Sequence, residues 1–510
     1  MSNNSSSSVD LSEVTRGTPS YALGAGALAD TELLLAGAFA PLRGFLGSAD
    51  VAAVRSGRTL ADGTPWPVPI TLDVPDEVAA NVTTGGALVL EDPEGTPVAQ
   101  LQVEESWQDD GVSRLAGPVQ PLRPPAAGVF RRLHRTPAEV RAELPAGDVY
   151  AVLVDRPLHY DTIAAAKLAA NGGHLLLLVP TAGGRELPAE SLVRLALAAA
   201  AELADATVVA VRLDRRSDAD DDLLLTAAVA AQYGATALLH DRDDTHLTAH
   251  AAVALAALPA VAYDSNSGYW LPADDVAADG RLPSLPPAEV EQLLAAGDPL
   301  PSWFSPAAVA AELRHVRPPL PERGCTVFLT GLSGAGKSTI AGALHDALAE
   351  RADRTVTLLD GDIVRRMLSA GLGFSRADRD RNVLRIGYVA AEVGRHGGLA
   401  ICAPIAPYRS TRAEVRRMVT EHGSGFVLVH VATSLEVCEA RDRKGLYAKA
   451  RAGEIQEFTG VSDPYEMPTD AELTLDTGEL PVEESVQRIL DYLTKHGWLQ
   501  DTSQATVTLP

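Results

Sequence analysis

Cys325-Thr-Val-Phe-Leu-Thr330 runs directly into Gly331-Leu-Ser-Gly-Ala-Gly-Lys337-Ser338, and this junction decides how the carboxy-terminal part of the chain folds. The apolar run predicts a buried strand, and the next eight residues satisfy the G-x-x-x-x-G-K-[ST] spacing. Ile340-Ala-Gly-Ala-Leu-His-Asp-Ala-Leu then places apolar residues at helical intervals. Strand, glycine-rich loop and helix in that order form a phosphate-binding loop. Glycines let backbone N–H groups converge on phosphate oxygens, and the helix N-terminus adds the positive end of its dipole. The expected contacts with ATP are Gly331, Ser333, Gly334, Ala335, Gly336, Lys337, Ser338 and Thr339. Lys337 is placed to reach the β- and γ-phosphates, and the Ser338 hydroxyl is the expected Mg²⁺ ligand.

Outward from that loop, 510 residues predict more than one domain, and 46% hydrophobic content is enough for several cores. A formal net charge of −24 argues against general binding to nucleic acid, which needs a basic face. Met1-Ser-Asn-Asn-Ser-Ser-Ser-Ser lacks a basic n-region and an apolar h-region, so it reads as a flexible tail and not as a signal peptide. No segment reads as membrane-spanning, since the Ala/Leu-rich runs near 193–212 and 249–263 are short or interrupted. Cys325, Cys402 and Cys438 lie far apart in apolar contexts, which predicts reduced thiols, a cytoplasmic location and no cysteine metal site.

A local exception to the acidic balance lies between 361 and 385, where Arg365, Arg366, Arg376, Arg379, Arg381 and Arg385 outnumber Asp362, Asp378 and Asp380. Guanidinium forks suit tetrahedral oxyanions, so some of these arginines are expected to meet a phosphate or sulfate. The others are expected to form i,i+3 and i,i+4 ion pairs on a solvated helix face.

Further constellations follow in order: Val356-Thr-Leu-Leu-Asp-Gly-Asp362, Leu372-Gly-Phe-Ser375, Arg379-Asp-Arg-Asn382, Ile405-Ala-Pro-Tyr-Arg409, Lys444-Gly-Leu-Tyr447, Phe458-Thr-Gly460 and Asp463-Pro-Tyr-Glu466. Together with the loop they resemble adenylylsulfate kinase, which phosphorylates the 3′-hydroxyl of adenosine 5′-phosphosulfate (APS) to give PAPS. The resemblance covers about residues 323 to 498. It implies that Asp362 orients the 3′-hydroxyl and accepts its proton, while Asp360 holds Mg²⁺ through water or shares the base role; the alternative is that both merely cap the following helix. It further implies that Arg365, Arg379, Asn382, Ile405 and Lys444 contact APS. Phe374 and Phe458 are implied to stack on the substrate adenine, with an ordinary core role as the alternative for either. The stretch 441–458, mixed in Arg, Lys and Gly, reads as a mobile lid from which Arg441 faces the ATP phosphates. Two positions depart from the family pattern: Ile363, where Asn is frequent, and Ala406, where Ser is frequent.

The first 320 residues resemble ATP sulfurylase. Gly37-Ala-Phe-Ala-Pro-Leu-Arg-Gly-Phe-Leu-Gly47, Leu60 to Asp73 and Leu90-Glu-Asp-Pro-Glu-Gly95 match its amino-terminal PUA-like β domain, and alternating strands and helices after Thr136 match its α/β nucleotidyltransferase domain. The sulfurylase run Q-x-R-N-P-L-H-x-x-H corresponds here to Leu153-Val-Asp-Arg-Pro-Leu-His-Tyr-Asp-Thr162, which keeps only Pro157, Leu158 and His159. Asp155 stands where an oxyanion-binding Arg is expected, which reverses the local charge. G-R-D-H corresponds to Asp241-Arg-Asp-Asp244, and S-G-T-x-x-R to Pro286-Pro-Ala-Glu-Val-Glu291. Three damaged motifs predict a folded but inactive sulfurylase region, with His159 as a structural residue at a helix end.

The expected organisation is α/β and multidomain. A tail (1–19) precedes a PUA-like domain (20–140), a degenerate sulfurylase-like domain (141–316), the proline-stiffened linker Arg317-Pro-Pro-Leu-Pro-Glu322 and a P-loop kinase with a parallel sheet (323–498); a second tail (499–510) ends the chain. The expected reaction is ATP + APS → ADP + PAPS with Mg²⁺, and the amino-terminal surfaces are expected to serve assembly, as a homo-oligomer or by holding an active sulfurylase subunit. Two rival expectations are a bifunctional sulfurylase–kinase and a nucleotide-sensing protein without turnover.

Overall fold

Cys325–Thr330 is a strand buried along its whole length, as an apolar run covered on both faces of a parallel sheet should be. The computed structural model of the chain describes residues 17–123, 128–183, 187–242, 246–351, 354–373, 375–421, 423–455 and 457–500, and for Asp362, Ile363 and Arg365 the backbone alone. It separates into two units, one of residues up to 289 together with 300–316, the other of 290–299 together with 317 onward.

The first unit begins with a mixed seven-stranded sheet made of β1 (Ser20–Ala22), β2 (Gly44–Phe45), β3 (Leu72–Val74), β4 (Ala87–Glu91), β5 (Pro97–Gln102), β6 (Glu105–Asp109) and β7 (Val112–Pro121). Its helices are α1 (Ala25–Ala36), α2 (Ser48–Gly57) and α3 (Asp76–Ala80). α4 (Pro137–Glu143) then starts on a reciprocal cap between Thr136 and Glu139. Beyond it strands and helices alternate: β8 (Val149–Leu153), α5 (Tyr160–Ala170), β9 (His174–Pro180), α6 (Ala189–Ala200), β10 (Ala206–Val211), α7 (Ala219–Gln232), β11 (Ala237–His240) and β12 (Ala254–Ala257). These five strands are parallel in the order β10-β9-β8-β11-β12. One apolar core runs from Phe39, Leu72 and Leu101 through to Leu176, Val209 and Leu224. A small antiparallel sheet, β13 (Val261–Asp264), β14 (Tyr269–Pro272) and β15 (Arg281–Leu282), follows; α8 (Pro287–Ala296) then crosses into the residues of the second unit, and α9 (Ala307–Val316) belongs again to the first.

The second unit is a five-stranded parallel sheet of β16 (Cys325–Thr330), β17 (Val356–Asp360), β18 (Leu399–Ala403), β19 (Gly425–Val431) and β20 (Leu473–Leu475), in the order β17-β18-β16-β19-β20. α10 (Lys337–Ala349) and α16 (Val482–Lys495) cover one face through Ile340, Leu344, Ile489 and Leu493. α12 (Arg376–Arg395) and α13 (Arg409–Thr420) cover the other through Ile386, Ala390, Val415 and Val419. The shorter helices α11 (Gly361–Met367), α14 (Leu435–Arg441) and α15 (Leu446–Arg451) stand beyond the strand ends. Because β16 lies between β18 and β19, its two neighbouring connections run to opposite sides of it, and the strand order reverses there; the crevice at the carboxyl end of such a strand is the usual ligand position in open α/β sheets. Among the described residues no helix is long and apolar enough to cross a membrane.

Candidate functional site

The loop leaving β16 fills that crevice. A side chain at Gly331 would bring its Cβ to 2.5 Å from the Val431 carbonyl oxygen, and Gly334 has a φ of 78°, so glycine is required at the first and favoured at the second. Lys337 begins α10 and is buried, its Nζ donating to the carbonyls of Gly331 at 2.9 Å and Leu332 at 2.7 Å. Burial pulls its pKa down to about 8, and the positive charge of Lys444 pushes in the same direction. Gly334, Ser338 and Thr339 are exposed at the loop and the first turn of α10, while Ala335 is buried beneath them.

Ser338 Oγ donates to Asp360 Oδ1 at 3.2 Å. Asp360 occupies the N-cap position of α11 without making a capping bond, so the capping alternative does not hold for its carboxylate. One hydroxyl and one carboxylate suit Mg²⁺, which keeps several waters and shares phosphate oxygens. Among the described residues no group of three or more His, Cys, Asp or Glu could hold a metal by itself. Asp362 and Arg365 lie in α11 with their side chains outside the described atoms, and Phe374 lies outside the described residues.

On the far side of the crevice Arg379 and Asn382 are buried in α12. Arg379 Nη1 donates to Thr459 Oγ1 at 2.7 Å and lies 3.0 Å from Asp463 Oδ2. Its Nε and Nη2, and Asn382 Oδ1, are buried without a hydrogen-bond partner among the described residues. Such orphaned polar atoms are costly unless a ligand satisfies them. Arg376 lies 4.2 Å from the Tyr408 ring centre, and Arg385 donates to the Leu368 carbonyl. Arg376 and Arg385 thus find tertiary partners and not helical ion pairs, while Arg379, the expected APS contact, is held by Thr459 and Asp463. Thr330 Oγ1 bonds the Ile405 carbonyl at 2.6 Å and the Ala406 carbonyl at 3.2 Å, while Arg412 Nη1 donates to the latter at 2.8 Å. Ala406 is buried at a φ of 45°, so these two donors hold a conformation alanine rarely adopts.

The stretch expected to be a mobile lid carries more order than its composition suggests. Arg441 ends α14 and donates from Nη1 to Thr477 Oγ1 and from Nη2 to the Thr477 carbonyl, both at 2.7 Å. Thr477 Oγ1 in turn bonds the Ala335 carbonyl at 2.9 Å, which sets Arg441 beside the phosphate loop. Tyr447 in α15 is buried and donates its hydroxyl to the Ser333 carbonyl at 2.8 Å. Phe458 meets the Tyr447 ring edge to face at 5.0 Å and also packs against the core, so part of its surface follows the core alternative. Thr477 carries no signal in the sequence, and Asp463, which opens Asp463-Pro-Tyr-Glu466, receives no role there, because their contacts lie 36 and 84 positions away, at Arg441 and Arg379.

The equivalent crevice of the first unit, beyond β8 and β11, is occupied by its own charges. Asp155 pairs with Arg215, whose Nε also holds Asp222 at 2.6 Å, and Arg156 pairs with Asp241. The Arg156 hydrogen bond is the main influence holding the Asp241 carboxyl below its usual range. Arg242 pairs with Asp220 at 2.7 Å, while Asp243 and Asp244 lie outside the described residues. His159 stands at the N-cap position of α5, stacked on Phe304 at 4.3 Å with Nδ1 3.0 Å from Ser305 Oγ. Burial lowers its pKa to about 4, so it is neutral at physiological pH.

Comparison with known proteins agrees with both units. The adenylylsulphate kinase family matches residues 323–476, and the PUA-like domain family matches residues 2–116. Sulfate adenylyltransferase of Mycosarcoma maydis is 33% identical over 91% of this chain and 92% of its own. That of Yarrowia lipolytica is also 33% identical, over 92% of each. The hexameric APS kinase of Thiobacillus denitrificans superposes with a TM-score of 0.83 at 37% identity, over 96% of this chain and 95% of its own. The chain is a kinase, and it belongs to the sulfurylase/APS kinase family, in which a PUA-bearing sulfurylase-like region is fused to an APS kinase domain.

Proposed function

We propose that residues 323–498 catalyse ATP + APS → ADP + PAPS. What supports this reading is the Ser338–Asp360 pair beside the buried Lys337 of the phosphate loop, together with the buried, orphaned donors of Arg379 and the orphaned Asn382 carbonyl oxygen. The 3′-hydroxyl oxygen of APS bonds to the γ-phosphorus, the bond from that phosphorus to the β,γ-bridging oxygen breaks, and the hydroxyl proton passes to Asp362. The loop amides and Lys337 hold the phosphates, Arg441 closes over them, and Arg365, Arg379, Asn382, Ile405, Lys444, Phe374 and Phe458 hold APS. Mg²⁺ held by Ser338 and Asp360 would neutralise charge on the β- and γ-phosphates. Tyr447 and the lid exclude water, which suppresses hydrolysis in place of transfer.

The sulfurylase-like part (20–316) is read as non-catalytic. The pairs Asp155–Arg215 and Arg156–Asp241 support this, because guanidinium groups engaged by carboxylates are poor ligands for sulfate or phosphate. Its proposed role is assembly, a reading supported by the hexameric state of the Thiobacillus denitrificans relative. Three buried free thiols fit a reducing cytoplasm. A second reading, retained sulfurylase activity, is favoured by likeness over nine-tenths of the chain to proteins named sulfate adenylyltransferase.

One assay separates these readings. The purified chain is given ATP and Mg²⁺ with either APS or sulfate plus pyrophosphatase, beside a Lys337→Ala control. PAPS from APS alone, lost in the control, is expected. PAPS from sulfate as well would establish the second reading, and no product from either substrate would defeat the kinase reaction.

A further inference from the structure

We propose that Asp463 is a positioning residue for the acceptor substrate, acting through Arg379; the inference rests on the reading of Arg379 as an APS contact. A guanidinium group can present either of two donor edges to an oxyanion, and only an external partner fixes which one. Here Nη1 is taken up by Thr459 Oγ1 at 2.7 Å and Asp463 Oδ2 at 3.0 Å. Tyr408 donates its hydroxyl to that same Asp463 oxygen at 2.9 Å, and its ring centre lies 5.5 Å from the guanidinium carbon. The carboxylate is itself fixed, because Asp463 N donates to the Phe458 carbonyl at 3.1 Å and Gly460 N donates to the Asp463 carbonyl at 2.8 Å, closing the F-T-G loop on itself.

What remains of Arg379 is its Nε–Nη2 edge, buried and without a hydrogen bond among the described residues; Glu457 Oε2 lies 4.0 Å from Nη2. Two parallel N–H groups on one edge match two oxygens of a phosphosulfate. Asp463 therefore selects the edge shown to the substrate and supplies the negative charge that offsets the cost of burying the guanidinium. Tyr408, held at the end of the Ile405–Tyr408 stretch, aligns Asp463 in turn. The proposal separates Asp463 from a plain tether between the F-T-G loop and α12, which would affect both substrates alike.

The test uses the full chain and compares Asp463→Ala, Asp463→Asn, Tyr408→Phe and Arg379→Ala with the double variant Arg379→Ala/Asp463→Ala. Loss of Asp463 is expected to raise KM for APS about 10-fold or more, while KM for ATP stays within about two-fold. The carboxamide, which keeps an acceptor oxygen, should recover part of the loss, and Tyr408→Phe, which keeps the ring, should show a smaller rise. The double variant should be no worse than Arg379→Ala. The proposal is overturned if KM for APS is unchanged in Asp463→Ala, if the double variant is additive, or if both KM values shift together with a lowered melting temperature. Should Asp463→Ala fold poorly, Tyr408→Phe and Asp463→Asn decide by the same criterion. A native chain inactive toward APS, or an Arg379→Ala variant with unchanged KM for APS, would instead defeat the underlying assignment.

Discussion

The Ser338 hydroxyl faces the Asp360 carboxylate at 3.2 Å, joining the first turn of the helix after the phosphate loop to the end of the neighbouring β17. The pair is accessible to solvent on the side of the crevice. Ser338→Ala and Asp360→Asn should each raise the Mg²⁺ concentration for half-maximal rate by at least about 10-fold, while leaving nucleotide-free thermal stability near native. Rate against Mg²⁺ at saturating ATP and APS checks this; an unchanged metal requirement would remove the pair from the metal site.

Lys337 carries a pKa lowered by burial to about 8 in the free chain, against about 10.5 in the unfolded chain. Between those values the unfolded chain binds more protons, so this group makes stability rise with pH from about 8 upward. ATP phosphates restore the charged form, so nucleotide binding at pH 8.5 should take up a proton, and binding below pH 7 should take up almost none from this group. Calorimetry in buffers of different ionisation enthalpy reads the uptake directly. Lys337→Met should abolish it.

Tyr447 hooks the Ser333 carbonyl from α15. Tyr447→Phe keeps the ring against Phe458 and deletes that bond together with the hydroxyl's contact with Cys438, so it should cost about 1 kcal/mol of stability and raise KM for ATP more than KM for APS. Denaturant unfolding and steady-state kinetics measure the two effects. An equal rise in both KM values would detach the hook from the phosphate loop.

His159 in the first unit has a pKa of about 4 against 6.5 when unfolded, so folding favours its neutral form. Its contribution is present above about pH 6.5 and is lost as pH falls toward 4. His159→Ala should lower stability at neutral pH by about 1–3 kcal/mol through loss of the Phe304 stack and the Ser305 bond, and should flatten the acid slope. Kinase turnover should be unchanged. Urea titrations across pH 4–7 compare the slopes.

The phosphate loop was legible because its chemistry is local: strand, glycine spacing, Lys337 and Ser338 are contiguous, and each follows from phosphate geometry. The two parallel sheets were legible for a similar reason, since runs such as Cys325–Thr330 are mostly apolar and are buried at every position. The partners of the arginine face were less legible, because helical spacing reveals only neighbours on the same helix. It does not reveal Tyr408 or Asp463, which reach Arg376 and Arg379 from loops 32 and 84 residues away. The lid was underestimated because α15 is only six residues long and its order rests on Tyr447, whose partner Ser333 is a backbone carbonyl with no sequence signature. Thr477 escaped for the same reason, as threonine after a short edge strand carries no pattern.

The charges in the crevice of the first unit depend on one another. Asp222 is buried and holds Arg215, which in turn holds Asp155. Replacing Asp155 alone by arginine would set two cations side by side, and removing Arg215 first would strand a buried carboxylate. Each single substitution toward an oxyanion-gripping surface therefore passes through a less stable protein. The charges behave as one linked set, which tolerates change at several positions together better than at any one of them.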